Sequence, residues 1–245
     1  MIFVDESIHD QLDFICVGMV YTPWEVDTDV ERALRDAGMR PYFDEYKSGR
    51  RTENQPNLHT LRDAIGDIAL NCRLAIYIAS TSERARILSS IVEVAQSIIQ
   101  ANILPVPQNL FVDEGMIGKH QAAPEQLIVH AGCNSKRTLG IQLADYVAYH
   151  CGYLLKCALT ETSKPVQINE TPHPLAGESV DFDWLTRTKM RRSFLHEPRD
   201  FNSITGDDWF VNISGYGAFY SQHLSPRVRD VARATFDEMY LGCVW

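Results

Sequence analysis

The opening stretch, Met1-Ile2-Phe3-Val4-Asp5-Glu6-Ser7, places two acidic residues directly after a short apolar run. A run of this length and composition is typical of a buried β-strand. The next apolar stretch, residues 13–21, predicts a second strand, and the short polar link between the two predicts that they pair in antiparallel fashion. The chain therefore begins with a hairpin whose first strand ends in carboxylates.

Strand and helix patterns then alternate up to about residue 157. Helical spacing of apolar residues predicts helices near residues 28–37, 57–71, 83–101 and 139–157. Apolar runs between them predict strands at residues 73–80, 109–113 and 126–130. This order predicts an α/β fold with a mixed five-stranded sheet flanked by helices.

The composition changes after residue 158. Residues 160–180 are rich in Thr, Ser, Pro, Asn and Glu, which predicts a long loop or linker. The remainder is aromatic and irregular in pattern, and it closes with a predicted helix at 226–240. We therefore expect a core domain at 1–157 and an irregular and helical extension at 158–245, packed on or beside the core. Capping a site, forming a homodimer and recruiting a protein partner are open roles for this extension.

Bulk properties predict an intracellular, cytoplasmic protein. No apolar run of the 245-residue chain approaches the roughly 20 residues that cross a bilayer, and the N-terminus lacks the pattern of a signal peptide. The six cysteines are scattered without close pairs, which predicts reduced thiols rather than disulfides or a zinc site. The net charge of −9 argues against a broad nucleic-acid-binding surface, so any such contact would depend on local basic groups.

Acidic residues mark three separate points of the predicted core. Asp5 and Glu6 follow the first strand, Asp113 and Glu114 follow a later strand, and Asp145 interrupts an apolar helix. A single strand-end Asp is most often a turn former, but two doublets and a helical Asp together are unusual. Because converging carboxylates repel one another unless a cation lies between them, the pattern predicts a site for Mg²⁺ or Mn²⁺.

The sequence resembles the domain-of-unknown-function family 3800, which occurs in bacteria and phages and is assigned to the ribonuclease H-like superfamily. The resemblance covers residues 1–157, and its most specific parts are the opening Asp-Glu-Ser and the later Gln-Leu-Ala-Asp. The matching segments are Asp5-Glu6-Ser7, Glu45-Tyr46-Lys47, Asp113-Glu114, Ser135-Lys136 and Gln142-Leu143-Ala144-Asp145-Tyr146-Val147-Ala148. The resemblance implies a ribonuclease H-like core.

The resemblance also implies a set of site residues. Asp5, Asp113 and Asp145 match the superfamily's acids on the first strand, the fourth strand and the last core helix. The middle acid is either Glu45, which Lys47 favours by completing a Glu-x-Lys element, or Glu93 on the helix before the fourth strand. Glu6 is a further candidate metal ligand. Lys47 would orient a carboxylate or contact the scissile phosphate.

Two functions fit these residues. The first is a Mg²⁺- or Mn²⁺-dependent nuclease that hydrolyses phosphodiesters of RNA or DNA at the carboxylate cluster. The second is a catalytically inactive module that binds nucleic acid or a protein partner, for example in phage defence. An enzyme needs at least three carboxylates that converge with an open approach, whereas a binding module can have them spread apart or paired with Lys and Arg.

Local basic groups and two histidines are additional candidates. Lys47 with Arg50 and Arg51, and Lys136 with Arg137, would contact a phosphate backbone if they line the acidic site. A third basic group, residues 187–192, lies near aromatic residues in the extension. His9 and His120 follow the two acidic strand ends, so each is a candidate proton carrier, although a loop histidine is the commoner outcome.

Overall fold

A mixed α/β fold emerges for the residues that the structure, a computed structural model, describes. These are residues 1–49, 55–102, 104–116, 118, 124–167, 177–191, 193–195, 212–214 and 217–240. The strands are β1 (Ile2–His9), β2 (Phe14–Tyr21), β3 (Arg73–Ala79), β4 (Gln108–Asp113), β5 (Leu127–Cys133), β6 (Pro165–Gln167), β7 (Ser179–Asp181), β8 (Asn212–Ser214), β9 (Ala218–Tyr220) and β10 (Glu238–Tyr240). The helices are α1 (Asp27–Asp36), α2 (Pro56–Asn71), α3 (Ile87–Ala101), α4 (Gly140–Thr160), α5 (Phe182–Met190) and α6 (Pro226–Phe236).

The main sheet has the strand order β5-β4-β1-β2-β3-β9. Strands β1, β2 and β3 form an antiparallel meander, while β4 runs parallel to β1 and β5 runs parallel to β4. The predicted α/β class and the mixed sheet are confirmed. Two small antiparallel pairs, β6 with β7 and β8 with β10, lie outside this sheet.

The predicted number of five strands in the main sheet is wrong, because the observed sheet has six. β9, from the segment predicted as an extension, pairs in parallel with β3. Gly217 permits this approach, because a Cβ there would lie only 2.9 Å from the backbone oxygen of Leu74. A three-residue strand is too short to show alternation in a sequence, and its pairing uses the free edge of β3. The division into two domains remains a prediction.

Each face of the sheet carries its own apolar cluster. Along β1, Phe3 belongs to the cluster that contains α4, whereas Ile2 and Val4 belong to the cluster that contains α3. This alternation follows from the two-residue period of a strand. We call the two sides the α4 face and the α3 face.

The backbone of α4 lies unusually close to the sheet. Every fourth residue along its contact side is small, namely Gly140, Ala144, Ala148 and Gly152. At the facing position of β2, a Cβ on Gly18 would lie 2.5 Å from the Ala148 nitrogen and 2.6 Å from the Ala144 oxygen. Neither distance leaves room for a methyl group, so Gly18 is what allows the helix to approach.

Two expectations from bulk composition can be compared with the structure. No helix in the described ranges is both long enough and apolar enough to cross a membrane. The described cysteines are free, as predicted: Cys16, Cys72, Cys133, Cys151 and Cys157.

Candidate carboxylate site

Asp5 and Asp113 lie side by side on neighbouring strands, with Asp5 in the middle of β1 and Asp113 at the end of β4. The prediction that the first strand ends at its acids is wrong, because β1 continues to His9 in its pairing with β2. The parallel register of β1 and β4 pairs Val4 with Val112, so the next residue on each strand is one of the two aspartates. Asp5 is 5% exposed and Asp113 is 8% exposed. Asp5 Oδ1 accepts a hydrogen bond of 2.7 Å from the Glu6 nitrogen. The sequence placed these two aspartates after separate apolar runs, and the structure places them next to each other in the sheet.

α4 supplies the third aspartate. Gly18 is the register partner of Asp5, and the helix backbone rests on Gly18 at Ala144, one residue before Asp145. Asp145 Oδ2 accepts a hydrogen bond of 2.7 Å from the Ser48 nitrogen. The close helix-to-sheet contact therefore sets the position of Asp145 relative to Asp5.

A short segment, Glu45–Ser48, connects the helix to the rest of the site. We call these four residues the strap. The fully buried Gln142 holds it, because its Oε1 accepts from the Tyr46 nitrogen at 2.8 Å and its Nε2 donates to the Ser135 oxygen at 2.9 Å. Sequence reasoning quoted Gln142 only as part of a motif and assigned it no role. The signal that could have revealed it is a Gln on a helix whose neighbours are apolar.

Lys47 supplies the positive charge of the site. Its Nζ lies 4.0 Å from Asp5 Oδ2, and its side chain is 35% exposed. Burial lowers the pKa of Lys47, but the combined charges of Asp5, Asp145, Glu45 and Asp113 outweigh it, and the pKa is raised overall. Lys47 is therefore a cation shared by several carboxylates rather than one half of a simple pair.

The aspartates strongly affect one another's ionisation. Burial, followed by the charges of Asp113 and Asp145, raises the pKa of Asp5 to about 8, against the opposing effect of Lys47. Burial also raises the pKa of Asp145, although hydrogen bonds from Ser48 and the charge of Lys47 lower it. Like charges brought together away from water disfavour full ionisation, and such groups are concentrated at functional sites.

Glu6 adds a second carboxylate next to Asp113. A Cβ on Gly115 would lie 3.2 Å from Asp113 Oδ2 and 3.5 Å from Glu6 Oε1, so both side chains border this glycine. Glu6 Oε2 is buried and has no hydrogen-bond partner among the described residues. Burial and then Asp113 raise the pKa of Glu6 to about 7. A buried acceptor without a donor is the kind of atom that a cation would satisfy.

The two candidates for the middle acid lie on different sides of the molecule. Glu45, in the strap, accepts a hydrogen bond from the Ser135 hydroxyl. Glu93 is exposed on α3, which packs against the opposite face of the sheet. The structure thus places Glu45 in the strap, where its charge acts on Lys47, and Glu93 on the other side of the sheet. Glu114 is also exposed, and accepts a hydrogen bond of 3.2 Å from Asn134.

The donors suit a hard divalent cation in chemistry but are not arranged as a completed site. Carboxylate oxygens are what Mg²⁺ and Mn²⁺ prefer, and the unpartnered Glu6 Oε2 is available. In the described part of the chain, however, no three His, Cys, Asp or Glu side chains are grouped so as to hold a metal ion. The Lys47 ammonium instead lies 4.0 Å from Asp5 Oδ2. The predicted Mg²⁺ or Mn²⁺ site remains a prediction.

His9 does not approach the acids as a proton carrier would. Its Nε2 lies 3.2 Å from the Ser7 hydroxyl, and its ring stacks on Phe14 with centroids 4.4 Å apart. Burial and the charge of Lys156 lower its pKa to about 4. His120, Arg50 and Arg51 lie outside the described residues.

Comparison of the chain with protein-family models, curated proteins and solved structures gives no match in any of the three. The fold and the carboxylate site therefore stand on the chain's own residues.

Proposed function

We propose that this chain is a nuclease with a ribonuclease H-like core that uses Mg²⁺ or Mn²⁺ to hydrolyse phosphodiesters. The observation that carries the proposal is that Asp5 and Asp113 are adjacent and buried in the sheet, while α4 brings Asp145 close enough for the three charges to act on one another. Burying several like charges is unfavourable for folding, so their retention suggests a functional use.

The connectivity supports this proposal. An antiparallel meander of three strands is followed by two parallel strands on the β1 side, and a long helix then crosses the sheet. This is the order that the resemblance to family 3800 leads us to expect for residues 1–157. Because one fold serves many functions, the connectivity adds to the case but does not carry it.

Each side chain has a distinct role under this proposal. Asp5, Asp113 and Asp145 would hold the metal, with Glu6 or Glu45 completing the set. A bound divalent ion supplies Lewis acidity toward the phosphate and lowers the pKa of a bound water. Lys47, which is partly exposed beside Asp5, would contact the scissile phosphate.

The test is a cleavage panel. The full chain is incubated with single- and double-stranded DNA, RNA and hybrid duplexes in Mg²⁺, Mn²⁺ or EDTA. We expect metal-dependent cleavage that falls by about 100-fold or more in Asp113→Asn, because a ligand is lost. Glu93→Gln, on the opposite face, is the matched control and should retain the wild-type rate. A folded wild-type protein that cleaves none of these substrates contradicts the proposal.

One observation favours the alternative, a catalytically inactive module that binds nucleic acid or a protein partner. The Lys47 Nζ already lies 4.0 Å from Asp5 Oδ2. Among the described residues, no three His, Cys, Asp or Glu side chains are grouped so as to hold a metal ion. Under this alternative Lys47 neutralises the acids permanently. Lys47→Met separates the two cases. Under the alternative, loss of the Lys47 charge should lower the free energy of unfolding, and added Mg²⁺ should not restore it.

A further inference from the structure

The segment that leads into the strap carries an exposed aromatic side chain. Phe43 is 66% exposed, the highest value among the large hydrophobic side chains that are exposed in the described residues. Leaving a ring of this size in water forgoes the free energy that burying it would provide. Isolated exposed apolar residues are common, so exposure alone decides nothing.

The backbone on both sides of Phe43 is restrained by hydrogen bonds. Tyr42 has a φ of 68°, which is unfavourable for a bulky side chain, and its hydroxyl donates to Glu31 on α1. Asp44 accepts a hydrogen bond of 2.9 Å from the Arg40 nitrogen and so closes the turn. A strained residue anchored to a helix on one side of Phe43, and a closed turn around it, hold the backbone from which the ring projects.

Positive charge borders this ring. The Arg40 guanidinium lies over Phe43 at 5.5 Å from the ring centroid. The same Arg40 side chain pairs with Asp44, its Nε lying 3.4 Å from Asp44 Oδ2. In a chain of net charge −9, an exposed ring with a guanidinium over one of its faces is a local exception.

The chain connects the ring closely to the carboxylate site. Lys47 is four positions after Phe43, so their Cα atoms are at most about 14 Å apart. Glu45, two residues after Phe43, is already bonded to Ser135 at the site. A ligand that contacts Phe43 would therefore also reach Lys47 and the acids.

Building on the proposed nuclease function, we propose that Phe43 and Arg40 form a stacking platform that selects single-stranded nucleic acid. An unpaired base stacks on the side of the Phe43 ring away from Arg40, while the Arg40 guanidinium contacts a neighbouring phosphate. A base within a duplex has both of its faces covered and cannot stack in this way. The platform therefore directs an unpaired strand, or a frayed end, to Lys47 and the aspartates.

Binding in EDTA tests this inference separately from catalysis. Short fluorescein-labelled single strands of thymidine or uridine, and a duplex of equal length, are titrated with the full chain and followed by anisotropy. We expect Phe43→Leu to weaken single-strand binding by roughly 5- to 150-fold, the range for one lost base stack, while duplex binding is unchanged. Phe43→Trp should retain or strengthen single-strand binding.

Trp24→Leu is the matched control, because Trp24 is also an exposed aromatic residue, at 43%. It should bind single strands as the wild type does. Equal weakening in both variants, no effect of Phe43→Leu, or no single-strand binding by the folded wild-type chain overturns the inference. Cleavage of duplexes alone in the earlier panel would leave the nuclease standing and contradict the platform.

Discussion

The two faces of the sheet differ in how they contribute to stability. On the α3 face, apolar side chains such as Ile91 and Val4 are fully buried, and Glu6 is the acid that β1 places on this side, opposite Val17. On the α4 face, the same strands bury Asp5 and Asp113 beside α4, with Lys47 as their shared cation. The α3 face is mainly an apolar core, while the α4 face combines a core with several like charges. Burying several like charges does not stabilise a fold, so the two faces contribute differently to stability.

The largest expected effect is on the α3 face. Ile91→Ala removes a fully buried side chain and leaves a cavity, so the free energy of unfolding should fall by roughly 2–5 kcal/mol. Because no charge is involved, the loss should be the same at pH 5 and pH 8 in urea titrations. A loss that changes strongly with pH would show that the two faces are not electrostatically separate.

The next effect concerns Gln142, which holds the strap on the α4 face. Gln142→Met keeps the volume of the side chain but leaves the Tyr46 nitrogen and the Ser135 oxygen without their partner. We expect a loss of roughly 2–4 kcal/mol, since each buried unsatisfied group costs about 1–3 kcal/mol. Release of the strap should also make Lys47 more accessible to chemical acetylation. Unchanged stability and unchanged acetylation would exclude a positioning role for Gln142.

A third prediction tests the close packing of α4. In Gly18→Ala the new methyl group would overlap the helix backbone at Ala144 and Ala148, so α4 must shift. We expect roughly 1–3 kcal/mol of destabilisation together with weaker Mn²⁺ binding, because Asp145 moves with the helix. Gly49→Ala is the control, as nothing lies within 4 Å of its Cβ position. Equal effects in both variants would contradict the packing explanation.

The smallest effect is the pH dependence of the metal-free protein. The pKa values of Asp5 and Glu6 are raised on folding, so the folded state binds protons more tightly than the unfolded chain does. Their stabilising contribution is complete below about pH 4 and is lost as the pH rises to about 8. Asp113→Asn removes a repelling charge, so we expect this decline to be shallower by about 1 kcal/mol in thermal or urea unfolding. A steeper decline in the variant would contradict the coupling.

Much of the fold was predictable because its elements are long and strongly patterned. The continuous apolar runs of β1 and β2 and the apolar side of α3 each extend over several residues, so they stand out in the sequence. β9 was not predictable, since three residues carry no period and the partner edge of β3 is set by tertiary structure. The predicted closing helix ends at Phe236 rather than at residue 240, where β10 follows.

The site was predictable in its residue types but not in its arrangement. Acids that follow apolar runs identified Asp5 and Asp113, and the parallel register of β1 and β4 brings the two residues together. The contacts of Gln142 with the strap and the sharing of Lys47 among carboxylates depend on a loop that contacts a helix about 100 residues away in sequence. No local pattern encodes such contacts. The sequence also does not show that Glu45 and Glu93 lie on different sides of the sheet, and the choice between them stays a prediction.

Mn²⁺ binding, measured by isothermal titration calorimetry on the full chain, tests most directly whether the buried carboxylates form one cation-binding unit. We predict saturable binding by the wild type, an affinity at least about 10-fold lower in Asp113→Asn, and no change in Glu93→Gln. Absence of binding by the folded wild type, or equal affinity in wild type and Asp113→Asn, would contradict the claim.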